Sequence, residues 1–115
     1  MIPLKTLRKM IEETLFIGWT TLEKHADAEC LAKGLIEKRL AVCVQIEGPV
    51  NAVYHWQGRV ETATEYRLMI KFLASLSEPL EEYLLTQHPY TTPQWVVVET
   101  QHVSKAYLEW ACQTK

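Results

Sequence analysis

At 115 residues the chain amounts to one domain, since domains typically hold roughly 100 to 200 residues. With 48% hydrophobic and 23% charged residues it has the material for a packed core and lacks the signature of disorder. Twelve Lys and Arg against fourteen Asp and Glu leave a net charge of −2, which excludes a large basic field for nucleic acid or an anionic membrane. Its longest apolar runs fall far short of the ~20 residues a membrane helix needs.

Residues 1–14 read as an N-terminal extension. Leu4, Leu7 and Ile11 recur at helical spacing, and Lys5, Arg8 and Lys9 interrupt any secretory apolar segment. Three cysteines, Cys30, Cys43 and Cys112, form no paired spacing and suit free thiols in a reducing compartment, so a cytoplasmic location is expected.

From residue 15 to 115 the pattern is that of one domain. Residues 15–20 form a short apolar run that suits a first strand. Ala28, Leu31, Ala32, Leu35 and Ile36 make the stripe of a helix running to about Arg39, with Gly34 marking a close packing contact. Val42, Val44 and Ile46 alternate with Ala41, Cys43 and Gln45, which predicts a second strand. The β pattern resumes at residues 53–56, so one long strand with a kink at Gly48-Pro49 is expected, turning at Gln57-Gly58-Arg59. Tyr66, Leu68, Ile70 and Phe72 alternate as the buried set of strand three.

Ser75 or Ser77 is expected to cap a second helix with Leu76, Leu80, Tyr83 and Leu84 inward, ended by the two prolines of residues 88–93. Residues 95–99 give strand four. Ser104 is expected to cap a last helix that turns Tyr107, Leu108 and Ala111 to the core. The order β-α-β-β-α-β plus a helix is an α+β, ferredoxin-like split βαβ sandwich with a long strand 2/3 hairpin arm. Tyr54 and Trp56 would share one face of that arm. A two-stranded arm carrying them is marginal alone in water, which predicts an oligomer.

Residues 40–44 (LAVCV), 54–58 (YHWQG), Glu65 with Lys71, His88-Pro89-Tyr90 with Pro93, and residues 107–110 (YLEW) together resemble the CutA-type divalent cation tolerance proteins. That resemblance covers residues 15 to 112. It implies a homotrimer of ferredoxin-like subunits, similar in architecture to the PII signalling proteins, and a role linked to copper or other divalent metals. Copper-binding members carry a Cys near the end of strand one and a His-His pair before Pro-Tyr. Here these positions hold Thr20 and Gln87-His88, so His88 is the matched ligand.

Thiolate and imidazole suit copper, which makes His88 and Cys43 the candidate metal residues. The plain reading of Cys43 is a small hydrophobe, and that of His88 an imidazole bonded to the last helical turn. Tyr54, Trp56, Glu65, Lys71 and Tyr90 are expected at a trimer interface or an intersubunit pocket. Glu65 and Lys71 share a face of strand three, and the plain alternative there is an interface ion pair. No nucleophile with a base and no phosphate loop marks an enzyme, and strand three lacks the Gly-aromatic pattern of an RNA-binding sheet. The two remaining classes are a metal-binding or metal-responsive protein and a trimeric PII-like module that takes a small ligand or partner in its intersubunit clefts.

Overall fold

The computed structural model describes residues 3–4 and 13–114. The helix expected from the Leu4, Leu7 and Ile11 spacing falls for the most part on residues 5–12, outside the described set. In chain order the elements are β1 (Leu15–Leu22), α1 (His25–Glu37), β2 (Cys43–Trp56), β3 (Arg59–Leu73), a 3-10 turn (Ala74–Leu76), α2 (Ser77–Gln87), β4 (Val96–Glu99) and α3 (Lys105–Gln113). The sheet is antiparallel in the order β2-β3-β1-β4. β3 thus inserts between the two strands that α1 joins, which is the split βαβ expected from the sequence.

Alternation on β3 decides the core. Leu68, Ile70 and Phe72 lie under α1 and α2 and pack with Leu22, Leu31, Leu35, Leu80 and Leu84. Burying each such side chain favours folding by about 1.5–3 kcal/mol. A Cβ on Gly34 would run into the Tyr83 side chain, so this glycine sets how closely α1 approaches α2. α1 begins three residues before Ala28, because the apolar stripe marks only its buried turns. The exposed first turn is held by His25 and Glu29, 2.9 Å apart.

A second cluster closes the other face at one end. Leu15, Leu73, Ala111 and Cys112 pack there with Val42, Leu76, Tyr107 and Leu108, so α3 covers part of the sheet face that α1 and α2 leave bare. Val42 therefore belongs to this cluster while Val44 faces the main core, a departure from the single face expected for both. The reason is that β2 starts only at Cys43 and Val42 is still turning in.

Two caps also differ from expectation. The 3-10 turn runs directly into α2, whose cap position is Leu76, and the Ser77 hydroxyl donates backward to the Ala74 carbonyl at 2.7 Å. Ser104 does occupy the cap position of α3 but makes no side-chain capping bond.

The long hairpin is as expected. β2 pairs with β3 from Cys43↔Lys71 out to Trp56↔Arg59, broken between Glu47 and Val50 by one extra residue on β2. Gly48 at this bulge has φ +144°, and a Cβ there would crowd Tyr66 and the Glu65 carbonyl. Gln57 and Gly58, both with positive φ, make the two-residue turn at the tip.

Candidate functional site

α2 stops where the chemistry of its next residues requires. His88 precedes Pro89, a position that disfavours helical backbone, and it is extended with φ −70° and ψ 134°. The chain then crosses the end of β1. His88 is buried there, with Nε2 3.0 Å from both the Thr20 hydroxyl and the Thr21 carbonyl. Its Nδ1 accepts the Tyr90 backbone N–H at 3.1 Å. Since Nδ1 accepts, the proton belongs on Nε2, which donates toward Thr21. Burial lowers the His88 pKa from its ordinary value; the Thr21 hydrogen bond and the charges of Glu65 and Asp27 oppose that shift. The ring is thus a neutral fastener between β1 and the loop after α2.

That loop delivers Tyr90 to the arm. The Tyr90 ring lies 4.8 Å from the His88 ring, and its hydroxyl donates to Glu65 Oε2 at 2.9 Å. Burial, reinforced by the Glu65 hydrogen bond and charge, raises the Tyr90 pKa, so the phenol stays a donor. Between loop and arm lies a cleft of about 730 Å³ lined by Thr21, Tyr54, Trp56, Glu65, Pro89, Tyr90, Thr91, Thr92 and Gln94. The bulge puts the arm aromatics there. Beyond it Tyr54 pairs with Glu61 and Val50 with Glu65, so the even-numbered residues of β2 share the face of Glu65.

Of the residues singled out from sequence, Tyr54, Trp56, Glu65 and Tyr90 meet in this cleft. His88 lies behind it, spent on hydrogen bonds. Lys71 sits six residues along β3, about 20 Å from Glu65 at the rise of a strand, with its ammonium 5.6 Å from the Tyr107 ring centre. Cys43 pairs with Lys71, so it is at the far end of the sheet from His88. Among the described residues no group of three or more His, Cys, Asp and Glu side chains comes together in a way that would hold a metal ion. Thr20 and Thr21 are the residues whose part sequence reasoning missed. A strand-end threonine pair carries no local signal that a histidine 68 positions later will bond to it.

The comparisons with known proteins agree with this architecture. The family model described as "CutA1 divalent ion tolerance protein" matches residues 16–114. The chain is 34% identical over 100 residues to the divalent-cation tolerance protein CutA of Thermus thermophilus, covering 87% of this chain and 94% of that one. It is 34% identical over 94 residues to the chloroplastic protein CutA of Arabidopsis thaliana, covering 82% of this chain and 52% of that one. The chain spans about half to two thirds of the length of several such relatives. The crystal structure of CutA1 from Oryza sativa superimposes with a TM-score of 0.85 at 30% identity, covering 88% of this chain and 93% of that chain.

Proposed function

Since the chain belongs to the CutA1 divalent ion tolerance family, we propose that it serves divalent-cation tolerance as a homotrimer, binding rather than catalysing, with the cleft at Tyr90 and Glu65 at its subunit boundaries. The observation that carries this is the Tyr90–Glu65 hydrogen bond, which fixes a polar anchor in a cleft that combines aromatic side chains with threonines and a glutamine. Support for assembly comes from the arm. Tyr54 and Trp56 are about half exposed on one face, while Val53 and Val60 are about two thirds exposed on the other. A two-stranded ribbon wet on both apolar faces calls for cover from other copies. The bare edge strand β4, with Val96, Val97 and Val98 all exposed, calls for the same. Lys71 and Glu65 both face the interface in this reading. Three cysteines, none of them in a disulfide, fit a reducing, cytoplasmic setting.

Copper is the metal to test, with His88 and Cys43 as separate candidate ligands, each needing further donors because the two lie far apart within one chain. Both ring nitrogens of His88 are engaged, so a metal must displace either the Tyr90 N–H or the Thr21 carbonyl, and the affinity is low. Sedimentation equilibrium at micromolar concentration tests the assembly: one species at three times 13.3 kDa is expected, and a monomer rejects it. Copper titration of wild type and His88→Ala at two pH values tests the metal. Binding should weaken in the variant and, in wild type, as pH falls below ~6.5 through the lowered pKa of the buried His88 ring. Equal affinity in both proteins removes His88 and favours the second reading, a PII-like trimer that takes a small ligand or partner in the same cleft, for which the cleft itself is the supporting observation.

A further inference from the structure

The cleft has a chemistry of its own. Three aromatic side chains, Tyr54, Trp56 and Tyr90, line it together with one carboxylate, Glu65, and among the described residues its lining includes no Lys, Arg or His. Tyr90 occupies a single carboxylate oxygen, Oε2, which leaves Oε1 for a donor from a ligand. Because Tyr90 is held protonated by burial and by Glu65, the negative charge of the site stays on the carboxylate.

Such a set discriminates between kinds of cation. A hard divalent ion wants about six oxygen ligands, and one carboxylate with neutral phenol and threonine groups falls well short. An organic ammonium ion is weakly hydrated along its methylenes, lies favourably over aromatic faces, and needs one carboxylate to receive its N–H. The half-exposed faces of Tyr54 and Trp56 are placed for the first role and Glu65 Oε1 for the second. The volume of about 730 Å³ accepts a linear aliphatic chain.

We propose that this cleft binds a small aliphatic amine as its ammonium ion, with Glu65 taking the charged N–H and Tyr54 and Trp56 flanking the carbon chain. This rests on the reading of the cleft as a functional site at a subunit boundary. All the named groups come from one chain, however, so the titration reads amine binding separately from assembly, and other copies that cover Tyr54 and Trp56 completely would abolish it and overturn the proposal.

The test is calorimetric titration of the full chain with 1,5-diaminopentane, using 1,5-pentanediol as the neutral control, on wild type, Glu65→Gln, Trp56→Leu and Lys71→Met. Glu65→Gln keeps a carbonyl for the Tyr90 hydroxyl while it removes the charge and puts an amide donor where Oε1 would accept. The expected result is saturable binding of the diamine and none of the diol. Affinity should fall about 10-fold or more in Glu65→Gln, as loss of a charge-assisted hydrogen bond requires. A several-fold fall is expected in Trp56→Leu, and no change in Lys71→Met. Failure of wild type to bind, equal binding of diol and diamine, or an unchanged Glu65→Gln each overturns the proposal. So does binding that arises only in Lys71→Met, which would show that the ammonium seat is filled by the lysine of a second copy. Sedimentation of the same samples is read separately: a monomer that binds the diamine rejects the assembly reading while leaving the amine site intact.

Discussion

The two halves of the β2–β3 hairpin share one backbone pairing and differ in everything that makes it stable. On the near half, up to the bulge, Ile46, Leu68 and Ile70 face α1 and α2, and the strands are secured by the chain's own core. On the far half, Val53, Tyr54, Trp56 and Val60 remain substantially in water. Hydrogen bonds between strands contribute only about 1 kcal/mol each net of water, so pairing alone does not explain a ribbon of this length. The near half is a structure the subunit makes for itself, and the far half is one it makes for something else.

Substitutions can break or sharpen that contrast. The largest effect on the subunit is expected from Leu68→Ala, where a wholly buried side chain at the centre of the core is lost. Destabilisation by about 2–5 kcal/mol should appear in urea unfolding, and a loss under 1 kcal/mol would mean that the near half is not the anchor. Gly18→Ala comes next. Its new methyl would collide with the Trp95 ring, which packs on the core, and overpacking there costs about 1–3 kcal/mol by the same assay. Thr20→Val deletes the buried hydroxyl beside His88 Nε2 while keeping shape and the Thr21 carbonyl, so about 1 kcal/mol is expected. The smallest effect on subunit folding belongs to the arm. Trp56→Ala should leave the stability of the isolated subunit within about 0.5 kcal/mol while weakening assembly in sedimentation. A large loss of subunit stability would erase the distinction between the halves.

Acid should reveal the junction between the halves. Burial, the main cause, holds the folded pKa of His88 below its ordinary value, so the unfolded chain takes up the proton first. The contribution is therefore fully present above the unfolded value of ~6.5 and is lost as pH falls from there through the lower folded value. Thermal melting should decline over that window in wild type and decline less in His88→Gln; parallel profiles would show that the ring is not the sensitive group.

Much of this was legible in the sequence where periodicity carries the signal. Leu68, Ile70 and Phe72 announce a buried face by alternation, and Ala28, Leu31 and Leu35 announce a helical stripe, because burial enforces the pattern directly. Helix starts were less legible: an exposed first turn such as that at His25 has no apolar mark, and Ser77 uses its hydroxyl on a preceding carbonyl instead of a cap. In the cleft, Tyr54 and Trp56 were placed on one face of the arm by alternation, whereas Glu65 and Tyr90 were singled out by a resemblance. Alternation says that Glu65 and Lys71 share a face, but it says nothing of the distance that leaves them in different surroundings. The Thr20–His88 contact depends on how the loop after α2 crosses β1, which no local pattern encodes.

The single extra residue at Gly48-Pro49 works like a frameshift for side-chain direction. Ahead of it odd-numbered residues of β2 point with Lys71 and Arg67; after it even-numbered ones do. Straightening the bulge with its residue kept in the ladder would restore simple alternation and turn Val53 and His55 toward Glu65, sending Tyr54 and Trp56 to the opposite side, whereas deleting the extra residue would leave all four facing as they do. The identity of the cleft's walls is thus written in the parity of a segment several residues away, and changes in the length of β2 between the bulge and the tip preserve it only in steps of two.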